Sequence, residues 1–178
     1  MRVITPPDFE PLDLDDVRVQ VRADGNEEDA LLAGFIAAAR QAAEHRTGRA
    51  YGSQVREMSF DTWCDPLRLI GYPVTSIESV KYLDSDGVLQ TLDPSSYTDP
   101  TDQPARIYLL DIGPTLQAVK GAIRITYECG ADMPDCVKTW CLLTVGSLYR
   151  NRESVTSAAA NELPRTLYDS MLDREVIY

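Results

Sequence analysis

At 178 residues, 44% hydrophobic and 25% charged, the chain can bury about two thirds of its unfolded surface and is too apolar for wholesale disorder. Its formal charge of -11, from 28 acids against 17 lysines and arginines, is spread along the sequence without a basic block, which argues against tight phosphate binding by this chain alone. Four cysteines without a CxxC pair, an N-terminus lacking the apolar core of a signal peptide, and no apolar run near the roughly 18 residues of a bilayer span predict a reduced, cytoplasmic protein that does not enter the membrane.

After a proline-broken lead (Pro6, Pro7, Pro11), "LDLDDVRVQVR" predicts a short helix with Val17 and Val21 one turn apart, closed by a turn at Asp24, Gly25 and Asn26. Asn26 then suits the N-cap of a helix of about twenty residues, whose first turn gains from Glu27, Glu28 and Asp29. Leu31 or Leu32, Phe35 or Ile36, Ala39, Ala42 or Ala43 and Arg46 recur at helical spacing, and Gly48 stops the run. From Ala50 to Cys129 the period is that of strands. The candidates are 54–62, 67–70, 77–83, 88–92, 106–110 and 122–129, the last alternating Ile123, Ile125 and Tyr127 with Arg124, Thr126 and Glu128. Asp84, Ser85, Asp86 and Gly87 join two of them as a hairpin.

"DMPDCVKTWCLLTVGSLYRNRES" returns to helix, with Asp132 as the expected cap, Pro134 in the first turn, and Val137, Cys141, Thr144 or Val145, and Leu148 as the stripe. "SVTSAAANE" reads as a mobile loop, and Pro164 as the start of a short helix with Leu167, Tyr168, Met171 and Leu172 inward. Terminal helical segments flanking a strand region can bury their stripes only against each other. The expected fold is therefore α+β: a small helical bundle built from both ends, with an inserted antiparallel β-sheet or sandwich. The expected organisation is one domain over 1–178, helical over 1–49, β over 50–129, and helical with a C-terminal tail over 130–178.

Catalytic chemistry finds little footing. His45 is the single histidine, so any Ser-His-Asp or Cys-His site must use it, and Ser147 in "VGSLY" lacks the second glycine and the strand-to-helix turn of a nucleophile elbow. His45 stands among Glu44, Arg46 and Arg49 near a helix C-terminus, where a surface cation meets the negative dipole pole. The spacing of Cys129, Cys136 and Cys141 does not make zinc knuckles, "DSDG" lacks the distal glutamate of an EF-hand, and no GxGxxG or P-loop is present. No enzyme, metal or cofactor is expected.

Taken in order, "MRVITPP", "EEDALLAGFIAAARQAAEHRTGRAY", "PVTSIESVKYLDSDGVLQTLDPSSY", "AIRITYECG", "MPDCVKTWCLLTVGSLYRNRES" and "LPRTLYDSMLDREVIY" resemble the head-to-tail connector (adaptor, head-completion) proteins of long-tailed bacteriophages and gene transfer agents. His45 near the "TGR" turn and Cys64 in "CDPLRLIGYPV" depart from that pattern. The resemblance implies a structural virion protein made in the host cytoplasm and carried in the neck. It implies a homo-oligomeric ring, a dodecamer, beneath the portal protein, extending a channel through which DNA passes without specific binding. A neck or tail terminator protein would dock on its tail side. Such a ring needs heterologous interfaces, expected on the exposed sides of the two long helices. Further partner-binding candidates are Arg150, Asn151 and Arg152, and the apolar tail Glu175, Val176, Ile177 and Tyr178, which could add a strand to a sheet edge. A second reading is a small carbohydrate- or ligand-binding β module with Tyr72, Tyr97 or Tyr108 as its platform, and a third is an acid-base hydrolase.

Overall fold

The computed structural model describes residues 1–98, 105–111, 113–151 and 170–177. Its elements run β1 (Arg2–Thr5), α1 (Leu14–Val21), α2 (Asp29–Thr47), β2 (Gln54–Phe60), β3 (Leu67–Arg68), β4 (Val74–Leu83), β5 (Leu89–Thr91), β6 (Arg106–Ile107), β7 (Ile123–Cys129) and α3 (Asp135–Arg150). They fall into two compact units: a helical one of Phe9–Gly52 and Asp132–Val176, and a β one made chiefly of Met1–Asp8 and Ser53–Ala131. The α+β expectation holds, with helices from both ends of the chain enclosing one core.

That core gathers Leu12, Val17, Leu32, Ile36, Ala39, Ala43, Tyr51, Met133, Val137, Trp140, Cys141, Val145 and Leu172. Burying each large aliphatic among them is worth roughly 1.5–3 kcal/mol. The alanines at 39 and 43 let α2 and α3 approach closely, and α1 packs on both. Of the alternatives on α2, Leu32, Ile36 and Ala43 face inward, while Leu31 and Ala42 stay exposed; Arg46, expected on the stripe, is exposed as well, because the buried stripe ends at Ala43, Glu44 and Thr47. On α3 the stripe is Val137, Trp140, Cys141 and Val145, so Trp140 belongs to the core and Leu148 lies only partly buried.

Helix ends depart from expectation in two places. Asn26 is not the N-cap of α2. Glu28 is, without a side-chain cap, and Asn26 contributes only its carbonyl oxygen, which accepts from the Asp29 N–H. Asp132 does not cap α3, because extended Pro134 precedes Asp135 directly and leaves Asp132 outside the helix. The end of α2 is as read: Gly48 takes a left-handed φ of 73° that favours glycine, and its N–H donates to the Glu44 carbonyl.

The β unit holds a five-stranded antiparallel sheet in the order β1-β2-β7-β4-β5 and a two-stranded ribbon, β3-β6. The alternation of β7 is realised, with Ile123, Ile125, Tyr127 and Cys129 buried and Arg124 and Glu128 exposed. Its neighbour β4 is ten residues long and shifts register twice, between Val74 and Ser76 and between Ile77 and Ser79. The 84–87 hairpin forms as read: one Asp84 carboxylate oxygen accepts from the N–H groups of Asp86 and Val88, and Gly87 supplies a φ of 80°. The first residues are the unforeseen part. Arg2–Thr5, read as part of a broken lead, form the edge strand β1 on β2. The helix expected from Pro164 lies mostly outside the described residues, and the expected loop "SVTSAAANE" lies entirely outside them. A helical turn remains at 170–173, with Leu172 buried and Met171 against the core.

Candidate functional site

In the helical unit, polar groups hold the ends of the helices in place. Arg40 emerges on the buried stripe of α2 and is only 5% exposed. Its Nε and Nη2 donate to the two Glu10 carboxylate oxygens at 2.7 and 3.1 Å, and its Nη1 donates to Glu44 Oε1 at 3.1 Å. Burial opposes the Arg40 charge, but the Glu10 hydrogen bonds and the Glu44 and Glu10 charges outweigh it, so the guanidinium is held more firmly protonated than usual. The same Glu44 oxygen accepts the Tyr51 N–H at 2.9 Å. One ion cluster therefore fixes both the segment entering the unit before Leu12 and the chain leaving α2. Nearer the other end, Arg18 Nε donates to Asp29 Oδ1 at 2.9 Å and the Tyr149 hydroxyl donates to Glu28, joining α1 and α3 to the start of α2.

The candidate contact residues fall at the periphery. Arg150 and Asn151 are exposed at the end of α3, where the Asn151 N–H and Nδ2 both donate to the Ser147 carbonyl, at 3.0 and 3.1 Å. Arg152 and Tyr178 lie outside the described residues. Glu175 is anchored rather than free: Arg49 Nε donates to its carbonyl oxygen at 2.8 Å and pairs with its Oε2 at 3.1 Å, while Val176 and Ile177 are half-buried. His45 is exposed on α2.

The exposed sides of the two long helices differ. From Ala30 to Ala42, α2 turns Ala30, Leu31, Ala33, Gly34, Ala38, Gln41 and Ala42 outward, all uncharged. The outward residues of α3 include Asp135, Cys136, Ser147 and Arg150. Two cysteines, Cys64 and Cys136, are exposed and two, Cys129 and Cys141, are buried. Burial pushes the Cys141 thiol up to about 12, which makes it a packing residue rather than a nucleophile at neutral pH. Among the described residues no group of acids, cysteines or histidine is arranged to hold a metal ion.

The tyrosine platform of the ligand-binding reading does not assemble. Tyr97 is buried, because it follows the Pro94–Ser96 turn directly into a bridge with Leu109; Tyr72 is half-buried, and only Tyr108 is exposed. What the sequence reading missed is the Arg40 cluster. Only its local half could be seen in the sequence, two opposite charges at i, i+4 beside the alanines 39 and 43; Glu10, thirty residues away, could not.

Residues 11–68 match the family described as phage gp6-like head-tail connector protein. No functionally curated protein matches the chain by sequence. Solved structures do. A chain of the virion of a native gene transfer agent (GTA) particle is 21% identical with a TM-score of 0.79, over 99% of this chain and 94% of that one. A chain of the neck of an empty GTA particle, computed with C6 symmetry, is 20% identical with a TM-score of 0.77, over 99% and 94%. A chain of the neck of a native GTA particle, computed with C12 symmetry, is 19% identical with a TM-score of 0.75, over 100% and 96%. As the sequence implied, the chain resembles the gp6-like head-tail connector family through residues 11–68 and has, over its whole length, the fold of these particle chains.

Proposed function

We propose that this chain is a head-to-tail connector: a structural subunit of a ring in the virion neck, attached to a portal protein on one side and to a neck or tail terminator protein on the other. The observation that carries the reading is the coincidence of the family match over 11–68 with a fold shared across 99% of the chain with a chain of the native GTA virion. A twelve-fold ring is supported by the C12 symmetry of one such neck. The role is not catalytic, and DNA passes through the ring without sequence-specific contacts. The two units act as one connector domain over 1–178.

Within this reading the uncharged outer face of α2 is the natural seat for a neighbouring copy, since closely packed helices favour small residues and a chain of charge -11 needs neutral surface where copies meet. Arg150, Asn151 and Arg152 form a second contact. The tail Glu175, Val176, Ile177 and Tyr178 is a third contact, its first residue held by Arg49. Native mass spectrometry and negative-stain imaging with and without the cognate portal test the reading. A ring, or a monomer that forms a ring on portal, is expected; a strict monomer that ignores portal and binds a glycan overturns it. Deleting 176–178 is expected to weaken portal or neighbour binding, and unchanged binding removes the tail from the interface.

A further inference from the structure

In the helical unit, Arg18, Arg40 and Arg49 are each held by carboxylates of the same unit. The β3-β6 ribbon behaves in the opposite way. Its register sets Arg68 directly across from Arg106. The Leu69 N–H donates to the Ala105 carbonyl at 3.0 Å, so the pair one step away, Arg68 with Arg106, occupies the non-hydrogen-bonded position. There Cα atoms approach to about 4.5 Å and side chains stand closest. Leu67 and Ile107, the other pair of the ribbon, are fully buried, which turns the two guanidiniums together to the other face. Like charges directly opposed across strands are destabilising, and here neither arginine is ion-paired with a carboxylate of the described residues. Arg106 Nε is in addition buried without a hydrogen-bond partner, an expense that an incoming acceptor would remove.

We propose that Arg68 and Arg106 form a carboxylate-receiving site, and that its occupant is an aspartate or glutamate of a second copy of this chain. Two guanidinium forks side by side suit the two oxygens of a carboxylate better than a lone cation does. Charge complementarity selects the occupant: each copy carries 28 acids against 17 lysines and arginines, so a neighbouring copy presents surplus carboxylate, and a ring of such copies gains most where an unneutralised cation pair meets it. The inference rests on the ring reading above and adds one of its contacts. Lys81 and Arg124 are also opposed in register, across β4 and β7, but both are exposed and serve as a charge-matched comparison.

The test uses full-length protein assembled on its portal. R68Q/R106Q is expected to lower ring formation by at least about tenfold at physiological salt while leaving the melting temperature of the unassembled chain unchanged or raised, because the repulsion is relieved. K81Q/R124Q, which removes the same charge, is expected to leave assembly within about twofold. A photo-crosslinking residue at position 68 is expected to capture an acid-containing peptide of a second copy, identified by mass spectrometry. Capture of portal, of a tail-side protein, of DNA or of nothing in well-formed rings overturns the site and leaves the ring reading intact. An equal loss of assembly in both double variants also overturns it, since net charge would then be the cause. If wild-type chains form no ring on portal, the connector reading fails, and this contact fails with it.

Discussion

Arg49 Nε stands 2.8 Å from the Glu175 carbonyl oxygen and 3.1 Å from its Oε2, a double hold between residues 126 apart in the sequence. It sets where the tail stops being part of the helical unit. Both side chains are about one fifth exposed, so the pair keeps part of its strength in salt. Arg49→Ala is expected to cost about 1 kcal/mol of stability and to expose the C-terminal segment to protease. Urea unfolding and limited proteolysis with mass mapping measure the two effects; an unchanged cleavage rate near residue 175 would mean that the hold does not order the tail.

The Arg40 cluster predicts a larger loss. Arg40→Met leaves Glu44, which is 9% exposed, without its buried cation and strips Glu10 of both hydrogen bonds. The expected destabilisation is roughly 3–5 kcal/mol, against about 1 kcal/mol for Glu10→Gln, which keeps a hydrogen-bond acceptor at the rim of the cluster. Equal midpoints for the two variants in chemical denaturation would show the cluster to be dispensable.

Much of the architecture was legible because it rests on local pattern. The C-terminal limit of α2 follows from Gly48, and β7 shows its buried face in its alternation. The residues that reading missed depend on partners far away in the chain. β1 is four exposed residues followed by two prolines, and nothing in "MRVITPP" reveals that β2 will pair with it. Arg40 and Glu44 look like solvent-facing charges until Glu10 is brought to them. The opposition of Arg68 and Arg106 exists only through the register of two two-residue strands, which no periodicity encodes. Tyr97 was misjudged for the same reason, since its burial comes from a bridge to Leu109.

Trp63 offers a local probe of the β unit. Its ring lies edge-on to Tyr82 with centroids 5.9 Å apart, its Nε1 donates to the Pro114 carbonyl at 2.9 Å, and a Cβ on Gly113 would come within 2.6 Å of it. Gly113→Ala is expected to displace the indole and to cost about 1–3 kcal/mol. The near-ultraviolet circular dichroism of Trp63, isolated in a Trp140→Phe background, is expected to weaken. An unchanged spectrum with full stability would contradict the close approach.

Alkali should unfold the chain through groups that burial keeps protonated. The Tyr51 hydroxyl is pushed from an ordinary 10.0 up to about 12, chiefly by burial, and the Cys141 thiol from 9.0 to about 12 for the same reason; Tyr127 is raised as well. A raised folded value favours the protonated form in the fold, so this contribution is complete below the ordinary value and is lost as pH climbs from about 9 to about 12. Urea midpoints are expected to fall across that window, with Tyr51 and Tyr127 ionising only as helicity disappears. At neutral pH, Cys64 and Cys136 are expected to react quickly with a thiol reagent and Cys129 and Cys141 only after unfolding. A single ordinary tyrosine titration with helicity retained would refute the first expectation, and four equally fast thiols the second.

The central place of β7 governs when the sheet can exist during synthesis. β2 and β4 do not pair with each other; each finds its inner neighbour only in β7. While the ribosome makes residues 61–122, the emerging chain holds at most the β1-β2, β4-β5 and β3-β6 pairs, and the first two each keep an open edge waiting for a strand not yet made. The last sheet residue, Cys129, is followed almost at once by α3, which the helical core also awaits. Both units therefore close late and within a short stretch of translation, and a cell that slows synthesis before residue 123 prolongs the stage at which nascent copies are most prone to aggregate.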